Sequence, residues 1–449
     1  MKNTQFNYIA LIIFHALIAV VLFIAPFLSK VYALLIPLLG FFIVYKSKNE
    51  NNEVLFVSAY LVGAEVFLRM TGGNFNNEYV KFTVVFFMLC GMVYSNFSKN
   101  ALIFLFFLLL LVPGIFITNS EADLSTDIKK VLFFNLSGPV CLAVSSIYMF
   151  SRRISFYKLQ NILTVMSLPI ITTTVYLFLY TPSIKDVVTG TQSNFETSGG
   201  FGPNQVSTIL GLGMFIFFTQ LVLFSKSKIE LFINGSLFIF ISYRGIVTFS
   251  RGGIITGAAM IVCLLALLYY FSNAQGKKKF TLVFVLTGLL VIGVWTYSSL
   301  QTGGLINKRY ANQDARGRIK NDKLGGREEI MDADMHLFLE NPIFGVGAGL
   351  SKTKRSDELG IEIASHNEVT RLLSEHGLFG IFAFLTLCIV PFALYINNKQ
   401  HLYLLSFFVF WGLTINHAAM RTAAPAFIYA MTLLFIQVKK PDEAEKIIN

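Results

Sequence analysis

Apolar runs of about 18 or more residues recur from one end of this chain to the other, and a helix needs such a run to cross the hydrocarbon of a bilayer. Fourteen candidate spans lie near residues 6–28, 31–45, 54–70, 79–94, 101–118, 131–150, 159–180, 204–224, 229–248, 253–271, 280–299, 368–396, 401–419 and 422–438. The second and third are short, so the expected count is about 12–14. Composition agrees, with 55% hydrophobic and 14% charged residues. The fold class is therefore an all-α polytopic membrane protein. No Pro/Gly/Ser-rich or charge-rich linker interrupts the runs, so they read as one domain. Four stretches follow: N-terminal membrane helices (1–180), further membrane helices (181–299), a long polar loop (300–366), and C-terminal membrane helices with a short tail (367–449). The first run, Phe6 to Leu28, is too long for a signal-peptide core and lacks a small-residue cleavage site, so it should remain a span. Cys90, Cys141, Cys263 and Cys388 all fall inside spans and suggest neither a disulfide framework nor a zinc site.

Cationic loops stay in the cytoplasm, which orients the chain. The loops "SRRISFYK" (151–158), "SKSK" (225–228), "NAQGKKK" (273–279) and, more weakly, "KSK" (46–48) are basic and are separated by even numbers of spans. The connection "NSEADLSTD" (119–127) is acidic and fits the other side. Both termini then lie in the cytoplasm. The 300–366 loop lies outside, as do the shorter connections at 190–203, 243–252 and 416–421. The net charge of +11 is mostly this topogenic bias. No basic and aromatic face independent of the membrane points to nucleic acid, so membrane lipids are the expected surroundings.

The external loop holds the densest polar chemistry. "NKRYANQDARGRIKNDKLGGR" (307–327) carries Lys308, Arg309, Arg316, Arg318, Lys320, Lys323 and Arg327 against Asp314 and Asp322, a field that attracts anions. In "EEIMDADMHLFLENP", Ile330, Ala333, Leu337 and Phe338 follow helical spacing, Glu328 and Glu329 occupy the first turn, and Asn341-Pro342 ends the helix. This predicts an amphipathic helix on the membrane or the bundle. "GVGAG" (345–349) predicts a tight turn or a close approach. Composition alone favours a solvated loop whose positive charges touch lipid headgroups.

His366-Asn367, followed after nine residues by Gly377 and two further on by Gly380, resembles the histidine motif of the O-antigen ligase and O-antigen polymerase superfamily of bacterial envelope glycosyltransferases. Arg327, the amphipathic helix and "ENPIFGVGAG" look like that superfamily's large periplasmic loop. "TFSRGG" (248–253) is similar to its arginine motif, and "GFGPNQVS" (201–208) resembles the start of an earlier span. The resemblance covers roughly residues 195–385, with the motifs in order and on one side of the membrane.

The resemblance implies a GT-C-like bundle in the bacterial inner membrane with its active site on the periplasmic face. It implies transfer of a glycan from undecaprenyl diphosphate to an acceptor hydroxyl, with no cofactor and with inversion at the anomeric carbon. The attacking oxygen must lose a proton near neutral pH, which suits His366 as base. The departing diphosphate needs charge stabilisation, which suits Arg251 and Arg327, because a guanidinium stays charged and grips phosphate in a fork. Arg244, Asn367, Asn204, Arg318 and Lys323 are the candidate substrate-binding residues. Asp332 and Asp334 of "DAD" lie two apart on a helix and point to different faces, so no metal site is expected. A lipid A core as acceptor would make the protein a ligase, a growing repeat unit a polymerase, and a protein hydroxyl an oligosaccharyltransferase. The histidine spacing favours the ligase by a narrow margin, with the polymerase as the alternative. A lipid-linked oligosaccharide flippase would show internal repeats and a charged central path, and a scaffold would need neither Arg251 nor His366.

Structural readings stand beside these. Asn367 can cap the helix that follows, with Arg371 and Glu375 pairing one turn apart. Glu65 and Arg69 can pair inside the bundle, although charges within a membrane are functional suspects. Asn204 can cap its helix. Gly211 and Gly213 can permit close helix packing. His15, His376, His401 and His417 read as structural.

Overall fold

The computed structural model describes residues 2–122, 127–320, 327–360, 365, 367–418 and 420–438. Among them, in chain order, run α1 (Lys2–Ile24), α2 (Leu28–Ser47), α3 (Glu53–Met70), α4 (Tyr79–Tyr94), α5 (Ile103–Glu121), α6 (Ile128–Met149), β1 (Arg153–Ser155), α7 (Phe156–Tyr180), α8 (Ile184–Val187), α9 (Pro203–Thr219), α10 (Lys228–Ile246), α11 (Arg251–Tyr270), α12 (Ala274–Gln301), α13 (Leu305–Tyr310), α14 (Arg327–Glu340), α15 (Ser351–Leu359), α16 (Glu368–Asn397), α17 (Leu404–His417), α18 (Ala423–Met431) and β2 (Phe435–Gln437). The chain is an all-α polytopic membrane protein: among the described residues, ten helical stretches are long and apolar enough to span a bilayer. α4 and α17 are apolar but shorter, and α3 carries Glu53, Glu65 and Arg69.

Two expected spans differ in the structure. The run at 422–438 is not one helix. α18 has nine residues, which at 1.5 Å each reach about 14 Å, half a bilayer core. The chain then extends into β2, which pairs in parallel with β1 so that Ile154 lies opposite Ile436. The run at 368–396 is helical but broken at Gly377, whose φ and ψ are 58° and −136°.

The described chain divides into two compact units, each gathered from separate stretches. The first comprises 1–43, 56–77 and 162–321, and the second 44–55, 78–161 and 322–449. No linker marks them in the sequence because the chain passes between them five times.

In the first unit α9 is the central helix, packed against α10 and α11. Its approach to α11 is at backbone distance. A methyl group on Gly211 would fall on the Gly253 carbonyl, and one on Gly257 would fall on the Gly211 carbonyl. A methyl on Gly213 would lie 2.8 Å from Ile170. Both α9 glycines thus serve close packing, each against a different neighbour. In the second unit α6 packs on α4 and α18, and α16 packs on α5 and α14.

Candidate functional site

In the first unit the polar chemistry gathers where α10 turns into α11. Arg251 is the first residue of α11, after Ser250 at the cap. The turn is strained: Phe249, buried and β-carbon-bearing, has φ +59°, a conformation that costs about 1–3 kcal/mol and persists only when its surroundings enforce it. Arg309 supplies part of that enforcement, its Nε donating to the Phe249 carbonyl at 2.9 Å and its Nη2 reaching Ser193 Oγ at 3.4 Å. Arg251 Nη1 in turn approaches the Arg309 carbonyl at 3.5 Å. The charges of both guanidinium groups act on the phenol of Tyr310. Burial pushes its phenol up to about 12 against the opposing pull of Arg251 and Arg309.

The remaining first-unit candidates separate by what they touch. Asn204 does not cap α9. Pro203 occupies the first helical position and Gly202 the cap, because a fixed φ starts the helix one residue earlier. The Asn204 side chain instead accepts a hydrogen bond from Ser250 at 2.8 Å and so braces the turn beside Arg251. Arg244 is buried and turned inward, donating to the Thr181 and Thr197 carbonyls at 3.3 and 3.0 Å with its guanidinium over the Phe178 ring. Those bonds engage Nη1 and Nη2, while the buried Nε makes no hydrogen bond. Arg318 is exposed and ion-paired with Asp314 at 2.7 Å in a short hairpin. Arg69 pairs with Glu65 at 2.7 Å and also reaches Gln205 at 3.3 Å, so the suspected pair exists and is tied to the "GPNQ" stretch.

In the second unit the histidine motif is built around a chain reversal. The Leu378 N–H bonds to the Pro342 and Ile343 carbonyls at 2.8 and 3.1 Å. A methyl group on Gly380 would fall on the Leu372 carbonyl. Residues eight apart in a straight helix are about 12 Å apart, so the two halves of α16 fold sharply against each other. "GVGAG" is the expected close-approach loop. Gly345, Gly347 and Gly349 have φ of +71°, +101° and +82°, and Val346 and Gly347 donate to the Ser374 and Glu375 carbonyls at 2.8 and 3.2 Å.

Ion pairs hold this loop in place. The apolar face of α14 is buried through Ile330, Ala333 and Leu337. Asp334 is buried and paired with Arg355, and it accepts from Thr370 at 3.0 Å. Burial still leaves its carboxyl above the usual range. Asp332 is exposed, so the two aspartates do face different ways. Arg371 pairs with Glu368 and Glu375 and donates to Asn135 at 2.9 Å, while Ser351 donates to Glu375 at 2.8 Å. Asn367 caps α16, its side chain accepting from the Val369 and Thr370 N–H groups.

These supports frame a cavity of about 120 Å³ lined by Arg327, Met331, Ser365, Asn367, Asn416 and His417. The first residue of α14 and the two neighbours of position 366 thus meet at one pocket. His366 itself and Lys323 lie outside the described residues.

Three residues without a role in the sequence reading stand close to these clusters. Arg309 was one of seven cations between 307 and 327, and composition does not separate it from the rest. His417 lines the pocket with its Nδ1 on the Leu413 carbonyl at 2.7 Å. Arg421 Nη2 approaches the Ser365 carbonyl at 3.5 Å, and the signal for it was an arginine in a short connection between apolar runs. Among the described residues no cluster of His, Cys, Asp and Glu is suited to a metal ion.

Fold and site together define a multi-pass α-helical membrane protein whose ionic chemistry is concentrated at helix starts and in the loops between them. Residues 236–385, about a third of the chain, match the family model described as O-antigen ligase, and this likeness supports the O-antigen ligase and polymerase superfamily. That superfamily comprises glycosyltransferase-like ligases and polymerases acting on lipid-linked glycans and polysaccharide acceptors. No curated protein matches the chain significantly.

Proposed function

We propose that this protein transfers a glycan from undecaprenyl diphosphate to an acceptor hydroxyl on the periplasmic face of a bacterial inner membrane, without a metal and with inversion. The observation that carries the reading is the pocket where Arg327, Ser365 and Asn367 meet. It brings Arg327, a permanently charged side chain, to the same pocket as the residues on both sides of position 366. His366 takes the acceptor's proton as the oxygen bonds to the anomeric carbon, and the carbon–oxygen bond to the diphosphate breaks with its electron pair leaving on phosphate. Arg327 is the guanidinium at this pocket suited to stabilising that departing charge, and Arg251, in the first unit, is the other candidate for the task. The acceptor is a lipid A core, as in a ligase, the choice that the histidine spacing favours by a narrow margin over a polymerase.

Transfer from purified lipid-linked donor tests the reading. His366→Ala should bind donor like the parent yet transfer about 10²- to 10⁴-fold more slowly, and the parent's rate should fall as imidazole protonates at lower pH. Arg327→Lys keeps charge but loses the fork and should transfer poorly. Chelator should change nothing. Full activity in the His366→Ala protein, with expression and folding matched, would sink the mechanism. A lipid A core and a second lipid-linked repeat unit, offered as rival acceptors, separate ligase from polymerase.

A further inference from the structure

Tyr310 ends α13, the short helix that follows α12. Its ring stands edge-on to Trp295, with centroids 4.7 Å apart, and packs on the apolar cluster that includes Phe249, Ile254, Val294 and Ile306. The ring is therefore well placed as a hydrophobic body. Its hydroxyl is buried and makes no hydrogen bond, whereas buried tyrosine hydroxyls ordinarily find a partner because leaving one unmade costs stability.

The missing partner can be characterised from what surrounds it. The charged groups felt at the phenol are two guanidiniums, those of Arg251 and Arg309. A guanidinium has donors and no acceptor, and a phenol next to two cations gains most by donating to an anion. Phosphate oxygen suits this set, offering several acceptors at once. The hydroxyl is closed to solvent, so its partner arrives only with a side-chain shift. Arg251 is partly exposed, and its bond to the Arg309 carbonyl is long at 3.5 Å. Arg251 is therefore accessible to a phosphate arriving from outside.

We propose that Tyr310 is a binding residue for the diphosphate of the donor, its hydroxyl donating to a phosphate oxygen held by Arg251 and Arg309. The inference rests on the proposed transfer from a lipid diphosphate and adds Tyr310 and Arg309 to its binding residues. Arg309 has two tasks here: its Nε holds the strained Phe249 turn, and its guanidinium adds a second positive charge acting on the phenol.

Tyr310→Phe removes one oxygen and nothing else, which makes the test clean. With purified full-length protein, donor KM should rise about tenfold or more, the range for a hydrogen bond to a charged group. Inorganic diphosphate, used as a competitive inhibitor, should weaken by the same factor. The melting temperature should hold or rise, since an unsatisfied buried hydroxyl has been removed. A Tyr310→Phe protein with parental KM and parental inhibition by diphosphate overturns the proposal whether or not its melting temperature falls. Arg251→Ala separates the two levels of inference. If it impairs transfer while Tyr310→Phe does not, only the tyrosine assignment fails; if neither does, the reading of a diphosphate donor at this turn fails with it.

Discussion

Gly377→Ala is the substitution whose cost can be worked most directly from the structure. At φ 58° and ψ −136° an alanine is held where L-residues rarely go, at about 1–3 kcal/mol. The new methyl would also lie 2.6 Å from the Pro342 carbonyl oxygen and from the Ile343 carbonyl. Both are backbone and cannot swing away, so overpacking adds roughly another 1–3 kcal/mol. A total of about 2–6 kcal/mol is a large part of the 5–15 kcal/mol by which a folded protein is ordinarily stable. Two control glycines separate the terms. Gly303 has φ +56° with open space around its Cβ position, so Gly303→Ala should carry only the conformational part. Gly412 lies inside α17 with open space, so Gly412→Ala should be neutral or slightly stabilising. Thermal unfolding in detergent, followed by loss of the monodisperse peak, should rank the variants Gly412→Ala, Gly303→Ala, Gly377→Ala from most to least stable. A Gly377→Ala protein that melts with Gly412→Ala would show that the reversal in α16 is not as tight as described.

Other perturbations address other parts of the molecule. Arg355→Leu strands the buried Asp334 carboxylate and should destabilise by about 3–5 kcal/mol, while the double variant with Asp334→Leu should recover most of that loss in the same melting assay. Asn204→Ala removes the bond from Ser250 and should lower transfer activity by way of the Arg251 turn, with a stability loss of about 1 kcal/mol; unchanged activity would mean the turn holds without it. Single cysteines at the exposed positions 315 and 352 should react with an impermeant thiol reagent on spheroplasts and those at 157 and 277 should not, and the reverse pattern would invert the orientation.

How far the sequence carries depends on whether the deciding interaction is local. The bounds of α14 were readable because Glu328, Glu329 and Asn341-Pro342 act on their own turns. So were the Asn367 cap, the Arg371–Glu375 pair and the divergence of Asp332 from Asp334, all set within four residues. The break at Gly377 was hidden because hydropathy is continuous through "GLFGIFAF" and is blind to the sign of φ. α18 stops early because the strand after it has a partner some 280 positions back, which no window along the chain contains. The cap reading of Asn204 failed for the same reason, its partner Ser250 lying on the next span but one. Arg309 and Arg318 carry the same charge nine residues apart, and only their neighbours distinguish a residue braced into a strained turn from one paired at the surface.

The parallel pairing of β1 with β2 has a consequence in time. When Arg153–Ser155 leaves the ribosome, its partner segment is still about 280 residues from being made, on the order of 14–56 s at synthesis rates of roughly 5–20 residues per second. Throughout that interval the strand's backbone groups are open, on an edge to which any extended segment could bond. The flanking "SRRISFYK" places Arg152 and Arg153 at this edge, with the Arg152 guanidinium over Tyr148 and its Nη1 bonded to Asn52 at 3.1 Å. Those contacts come from residues already synthesised. They keep the edge charged but leave its backbone unpaired until β2 arrives, so premature release of a chain lacking β2 should yield a product prone to self-association through this one strand.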